Sequence, residues 1–100
     1  MKISKIKSYV GFATKMNKVV FGVDNIKNCK KKQYVILYDD SLSENSVRKV
    51  TAYSNLKNIR LIKVDYNLAE AFKREKVKII SILDESLAKA ILTEVEVQYE

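Results

Sequence analysis

Histidine, tryptophan and proline are absent from this 100-residue chain, cysteine occurs once and glycine twice. Without histidine there is no imidazole base for a serine or cysteine nucleophile, so triad-type acyl chemistry is excluded. A zinc centre needs about four Cys or His ligands, and the chain offers only Cys29. No glycine-rich phosphate loop is present either, and the composition therefore points to a non-enzymatic protein with no metal and no cofactor. A lone cysteine fits a reducing compartment, which leads to the expectation of a cytoplasmic protein. Long apolar runs are missing as well. A signal peptide needs roughly 7 to 15 apolar residues and a membrane helix about 20, whereas stretches such as Tyr34–Tyr38 are far shorter.

What is present is a globular composition, 47% hydrophobic and 31% charged. At this length roughly 60 to 70% of the unfolded surface can be buried, enough for one core without disulfides or metal. Residues 1–100 read as a single domain, since no linker, repeat or low-complexity tract interrupts them. The net charge is +7 and it is unevenly spread: residues 1–32 contain nine lysines and one acid, Asp24, while the remainder is close to neutral. Such a concentrated positive field attracts polyanions by steering and by counterion release.

The hydrophobic periodicity gives a regular alternation of elements. Ile3, Ile6, Val10, Ala13 and Met16 recur at helical spacing among lysines, predicting a basic amphipathic first helix. Lys18–Phe21 is a short β-branched run that Gly22 terminates, and Val23, Ile26 and Cys29 then follow at helical spacing. Tyr34–Tyr38 is continuously apolar, the pattern of a strand covered on both faces. Ser41 with Glu44 suggests a capping box for a third helix carrying Val47, Val50 and Leu56 and ending near Asn55–Asn58. Ile59–Val64 and Val77–Ile82 read as strands, with a short helix opened by Asn67 and Glu70 between them. Asp84 caps a last helix, and residues 93–100 read as an acidic tail, either an extension of that helix or an extra edge strand. Strands joined by helices require crossover connections, so the expected fold is α/β, a three-layer α/β/α sandwich with a four-stranded mixed sheet.

The segment Tyr9–Gly22 carries a resemblance. Gly11, Phe12, Ala13, Asn17, Lys18 and Gly22 match a Gly-Leu-Ala-x-x-x-Gly-Lys-x-x-x-Gly opening, with Phe in place of Leu and Asn in place of one Gly. Asn tolerates the left-handed backbone that the replaced glycine would adopt. Tyr34–Asp40 followed by Ser43–Ser46, and Asp84–Ile91, continue the match in order over residues 5–92. In these features the chain resembles the ribosomal protein family of the archaeal "L seven Ae" type, small ribosomal and ribonucleoprotein components that bind kink-turn RNA. The resemblance implies that the turn after the first strand and the start of the second helix enter the RNA and read sheared G·A pairs. Gly-x-Asn-Glu-x-x-Lys is common there in RNA-binding members; this chain reads Gly22-Val23-Asp24-Asn25-Ile26-Lys27-Asn28, with acid and amide in reversed order and Asn28 in place of the final lysine. The implied RNA-binding residues are Gly22, Val23, Asp24, Asn25, Lys27 and Asn28; Lys18, Lys30, Lys31 and Lys32, on or beside the second helix with Lys27, are placed to neutralise phosphates. A second implied contact is the loop before the last strand, where Lys73, Arg74 and Lys76 stand in place of glycine and small apolar residues.

Each of these residues also has a plain structural reading. Asp24 in the first turn of a helix stabilises it by roughly 0.3–1 kcal/mol without touching RNA, and lysines on a helix face are commonly just solvated. The leading expectation is a non-enzymatic, ribosomal-protein-like RNA-binding protein that recognises structured RNA and is open to ribonucleoprotein partners. The alternative is a module of the same fold that binds protein and has lost kink-turn recognition, motivated by the altered Asp24-Asn25…Asn28 pattern. A membrane-surface role for the basic first helix is weaker, because its apolar stripe is what a core-facing helix also requires.

Overall fold

Residues 2–72 and 76–99 are described by a computed structural model. The chain forms α1 (Lys2–Lys15), β1 (Val19–Phe21), α2 (Val23–Asn28), β2 (Val35–Tyr38), α3 (Glu44–Lys57), β3 (Arg60–Lys63), α4 (Leu68–Phe72), β4 (Ile79–Ile82) and α5 (Glu85–Tyr99). The four strands lie in the order β1-β4-β2-β3; β2 and β3 are parallel, and β4 runs antiparallel to both β1 and β2. The result is the expected mixed sheet with helices on both faces.

Strand alternation divides the core. Val35 and Leu37 of β2, with Ile80 and Ile82 of β4, join Val10, Ala13, Leu68, Ala88 and Ile91 in a cluster beneath α1, α4 and α5. Ile36 and Ile79 point the other way and pack with Ile26 of α2 and Val50 of α3. Since β2 and β4 are central, both of their faces are covered, which is why each reads as an unbroken apolar run. Of the predicted stripe on α1, Val10 and Ala13 are buried; the side chains of Ile3 and Ile6 lie outside the described residues. Among the described residues no helix is long and apolar enough to cross a membrane.

The scarcity of glycine shows in how the helices end. Asn17 (φ 57°) and Asn58 (φ 58°) both take the left-handed conformation. Around each, the following amide reaches back over the last turn: Lys18 N–H to Ala13 O at 2.8 Å, and Ile59 N–H to Ser54 O at 2.9 Å. This is the closing geometry that glycine usually serves, and asparagine is the other residue that accepts it readily. The starts of α4 and α5 are capped by side chains: Asn67 Oδ1 accepts from Glu70 N at 2.8 Å, and Asp84 Oδ2 from Leu87 N at 2.9 Å.

Three local expectations are corrected. The cap of α3 is Ser43, whose Oγ accepts from Ser46 N at 3.2 Å, because Ser41 is held by Asp39 in the preceding turn. Leu56 is 80% exposed: six residues beyond Val50 is about 120° around a 3.6-residue helix, off the buried stripe, and Ser54 takes the inward position. Met16 is half-exposed, since α1 ends one residue earlier and the chain turns at Asn17. Of the two readings open for the tail, residues 93–99 take the extension of the last helix: they continue α5, because extending a nucleated helix adds one hydrogen bond per residue ordered.

Gly11 occupies the interior of α1, and nothing lies within 4 Å of where a Cβ would stand. Gly11→Ala is expected to stabilise the fold by about 0.5–1 kcal/mol, the helix-propensity difference. A chemical-denaturation midpoint that falls instead would show that this surface needs the bare backbone.

Candidate nucleic-acid interface

Because β1, β2 and β3 all run in one direction, their C-terminal ends and the start of β4 share one end of the sheet. Here the chain leaves β1 through Gly22, whose backbone (φ 92°, ψ 146°) is in a region that side-chain-bearing residues rarely enter. The Gly22 amide continues the ladder by donating to Ile79 O at 3.2 Å, and its carbonyl accepts from Ile26 N at 3.0 Å. Asn25 closes the turn by donating from Nδ2 to Phe21 O at 2.9 Å. Val23 and Ile26 anchor α2 on the sheet, with Ile26 fully buried. The same 3–4 spacing leaves Asp24, Asn25, Lys27 and Asn28 exposed.

The bond from Gly22 to Ile79 brings a second segment beside this turn. Lys76 is exposed with a left-handed backbone (φ 68°), Val77 is buried, and Lys78 is exposed just before β4. The Lys78 carbonyl accepts from Asp39 N at 3.1 Å, fixing the segment to the end of β2. The structure thus assembles Gly22, Val23, Asp24, Asn25 and Lys76 at one end, with Lys27 and Asn28 on the last turn of α2. Lys73 and Arg74 lie outside the described residues. Lys78 also belongs to the group; in the sequence it adjoins an apolar run and reads as part of the strand.

Two expected contacts lie elsewhere. Lys18 stands at the start of β1, where its carbonyl accepts from Leu83 N at 2.8 Å, and Lys31 sits between α2 and the start of β2. Both are exposed, at the opposite end of the sheet from Gly22. Proximity in sequence to the second helix concealed this, because the spacing of residues reports a face of an element and not which end of the sheet it reaches.

Asp39 holds the Gly22 end together. Its carboxylate is 3% exposed; Oδ1 accepts from Ser41 N at 2.8 Å and from Ser41 Oγ, and Oδ2 accepts from Leu68 N at 2.8 Å. Asp40, its neighbour, is exposed and pairs with Lys63 Nζ at 2.8 Å across the ends of β2 and β3. That hydrogen bond and the charge of Asp40 raise the Lys63 ammonium above its usual value. Burial, with Asp65 adjacent, pushes the Tyr66 phenol up to about 12, so it remains neutral well beyond physiological pH. A cleft of about 420 Å³ alongside is lined by charges of both signs, among them Asp40, Glu44, Arg48 and Lys63, over Tyr38 and Leu42. It has no bias toward an anion.

No protein-family model matches the chain, and no curated protein matches it in sequence. Among solved structures, a Bacillus halodurans protein described as having unknown function superimposes on it with a TM-score of 0.84. The match covers 92% of this chain and 97% of that one at 12% sequence identity. At that identity the similarity shows the shared fold alone.

Proposed function

We propose that the protein is a non-enzymatic, cytoplasmic RNA-binding protein, ribosomal-protein-like in kind, which receives a structured RNA of the kink-turn type at the Gly22 end of the sheet. The observation that supports this reading is the hydrogen bond from Gly22 to Ile79 O, which sets the Gly22 turn beside the start of β4, three residues after Lys76 of the second segment implied by the family resemblance. The chemistry of the turn is suited to guanine. With Asn25 Nδ2 occupied by Phe21 O, Asn25 offers Oδ1, and Asp24 offers only carboxylate oxygens. These are acceptors for the imino and amino protons on a guanine edge. Lys27, Lys76 and Lys78 flank them and supply phosphate contacts that fix register without reading sequence.

The test is binding to a kink-turn RNA and to a matched duplex whose G·A pairs are replaced, each titrated at two salt concentrations. A preference of tenfold or more for the kink-turn is expected. Asn25→Ala should lower that ratio, whereas Lys27→Ala should weaken both RNAs alike and flatten the salt dependence by about one unit of slope. Equal binding to both RNAs would leave only bulk charge, and binding to neither would favour the protein-interaction module that the Asp24-Asn25…Asn28 pattern suggests.

A further inference from the structure

We infer a second phosphate site at the far end of the sheet, a basic pocket lined by Lys30, Lys31, Lys32 and Lys57 together with Tyr53 and Asn58. It joins two segments that sequence reading keeps apart. Lys30–Lys32 follow α2, whereas Lys57 ends α3 and Asn58 turns the chain into β3. Together with Cys29, Gln33 and Ile59 they enclose about 260 Å³, and no carboxylate is in the lining. The ion pairs Lys63–Asp40 and Lys89–Glu85 lie elsewhere and neutralise none of this group. Lys32 rests its ammonium 5.3 Å from the centre of the Tyr34 ring. Tyr34 is not in the lining, so the ammonium groups left to the pocket are those of Lys30, Lys31 and Lys57; like charges around one pocket without a counter-charge repel one another, and an anion among them reverses the sign of that interaction.

The floor of the pocket fixes the polarity. Gln33 is 7% exposed and fully engaged: Nε2 donates to Ile26 O and to Tyr53 Oη, each at 3.0 Å, and Oε1 accepts from the buried Ser81 Oγ at 2.6 Å. Having accepted from Gln33, the Tyr53 hydroxyl turns its own proton away from that side chain, as a donor. Lysine ammonium groups and a tyrosine O–H make a surface rich in donors, which suits phosphate oxygens because they only accept. The volume limits the ligand: pockets for drug-sized molecules run from roughly 300 Å³ upward, so this one holds about a phosphate and an adjoining small group. Lys32 and Asp39 are seven residues apart along β2 and its approaches, a span on the order of 20 Å at about 3.3 Å per residue. The ligand is therefore a different phosphate segment from the one the Gly22 turn would hold.

The inference rests on the RNA reading only for the source of the phosphate, a polynucleotide backbone; a small polyphosphate carries the same chemistry. The experiment follows the amide resonances of the isotope-labelled full chain during titration with the duplex lacking G·A pairs and, separately, with inorganic tripolyphosphate. Lys30→Gln, Lys31→Gln and Lys57→Gln are combined in one variant; all three side chains are exposed, so circular dichroism should show an unchanged fold. With the duplex, the amides of residues 30–33 and 57–59 should shift in the wild type and stay fixed in the variant. The slope of log affinity against log salt should become shallower by about two to three units. The ratio of kink-turn to duplex affinity should not change. A lost kink-turn preference with these shifts intact would overturn the Gly22 assignment and leave this site standing. Shifts with tripolyphosphate alone would support the site and assign it to a small polyphosphate. Fixed amides with both ligands, or a variant with the wild-type salt slope and shifts, would overturn it.

Discussion

Asp39→Ala is expected to lower the unfolding free energy by about 3 kcal/mol, placing the thermal midpoint roughly 12–24 °C below that of the wild type. The carboxylate accepts from three donors, and one of them, the Leu68 amide, belongs to a residue with no exposed surface. Removing the acceptor strands that amide at the start of α4, and a buried unsatisfied donor costs about 1–3 kcal/mol even before the lost charge-assisted bonds are counted. Asp40→Ala, one residue on, is the control: its partner Lys63 is exposed, and an exposed pair contributes little. Thermal denaturation of both variants decides the matter, and equal midpoints would show that Asp39 is no more than a turn residue. Because Asp39 N also bonds to Lys78 O, the variant should loosen the Lys76–Lys78 segment and weaken RNA binding as well.

The second large effect is expected from Gly22→Ala. A Cβ at this position would meet only Asn25 Nδ2, at 3.8 Å, so space is not the obstacle. The obstacle is the backbone at φ 92° and ψ 146°, where a side chain costs about 1–3 kcal/mol. If the chain escapes that strain by rotating, it moves the amide that meets Ile79 O and the turn that Asn25 closes. Kink-turn preference should therefore fall more than the loss of stability explains, measured at a temperature where both proteins remain folded. Gly11→Ala, expected to stabilise, makes the comparison sharp: the same substitution at the chain's two glycines should have opposite signs. A Gly22→Ala protein with wild-type stability and RNA preference would remove the turn from the proposed interface.

Much of the fold is legible in short-range pattern. Val35–Tyr38 reads as a doubly covered strand because it is one, and Asn67 and Asp84 announce helix starts because their oxygens reach amides only three residues away. The proposed interface is legible only in part. The Gly22 turn is visible from its glycine and flanking pattern, whereas Lys78 is hidden in a strand and Lys57 reads as an ordinary helix end. Asp39 looks like a turn residue until its bond to Leu68, 29 positions away, is seen.

By itself the sequence determined the type and order of the elements, the caps Asn67 and Asp84 that begin two of them, the left-handed tolerance of Asn17, and the absence of histidine-based chemistry. These depend on contacts within a turn or two of helix or on the two-residue alternation of a strand. The tertiary structure alone decided that β4 inserts between β1 and β2, that its first residue meets Gly22, and that Lys18 and Lys31 stand at the other end. Burial on two faces marks a strand as central without saying which neighbours it pairs with. Antiparallel insertion of the last strand is a choice among long-range partners, and it is that choice which sorts the charges of this chain between the two ends of its sheet.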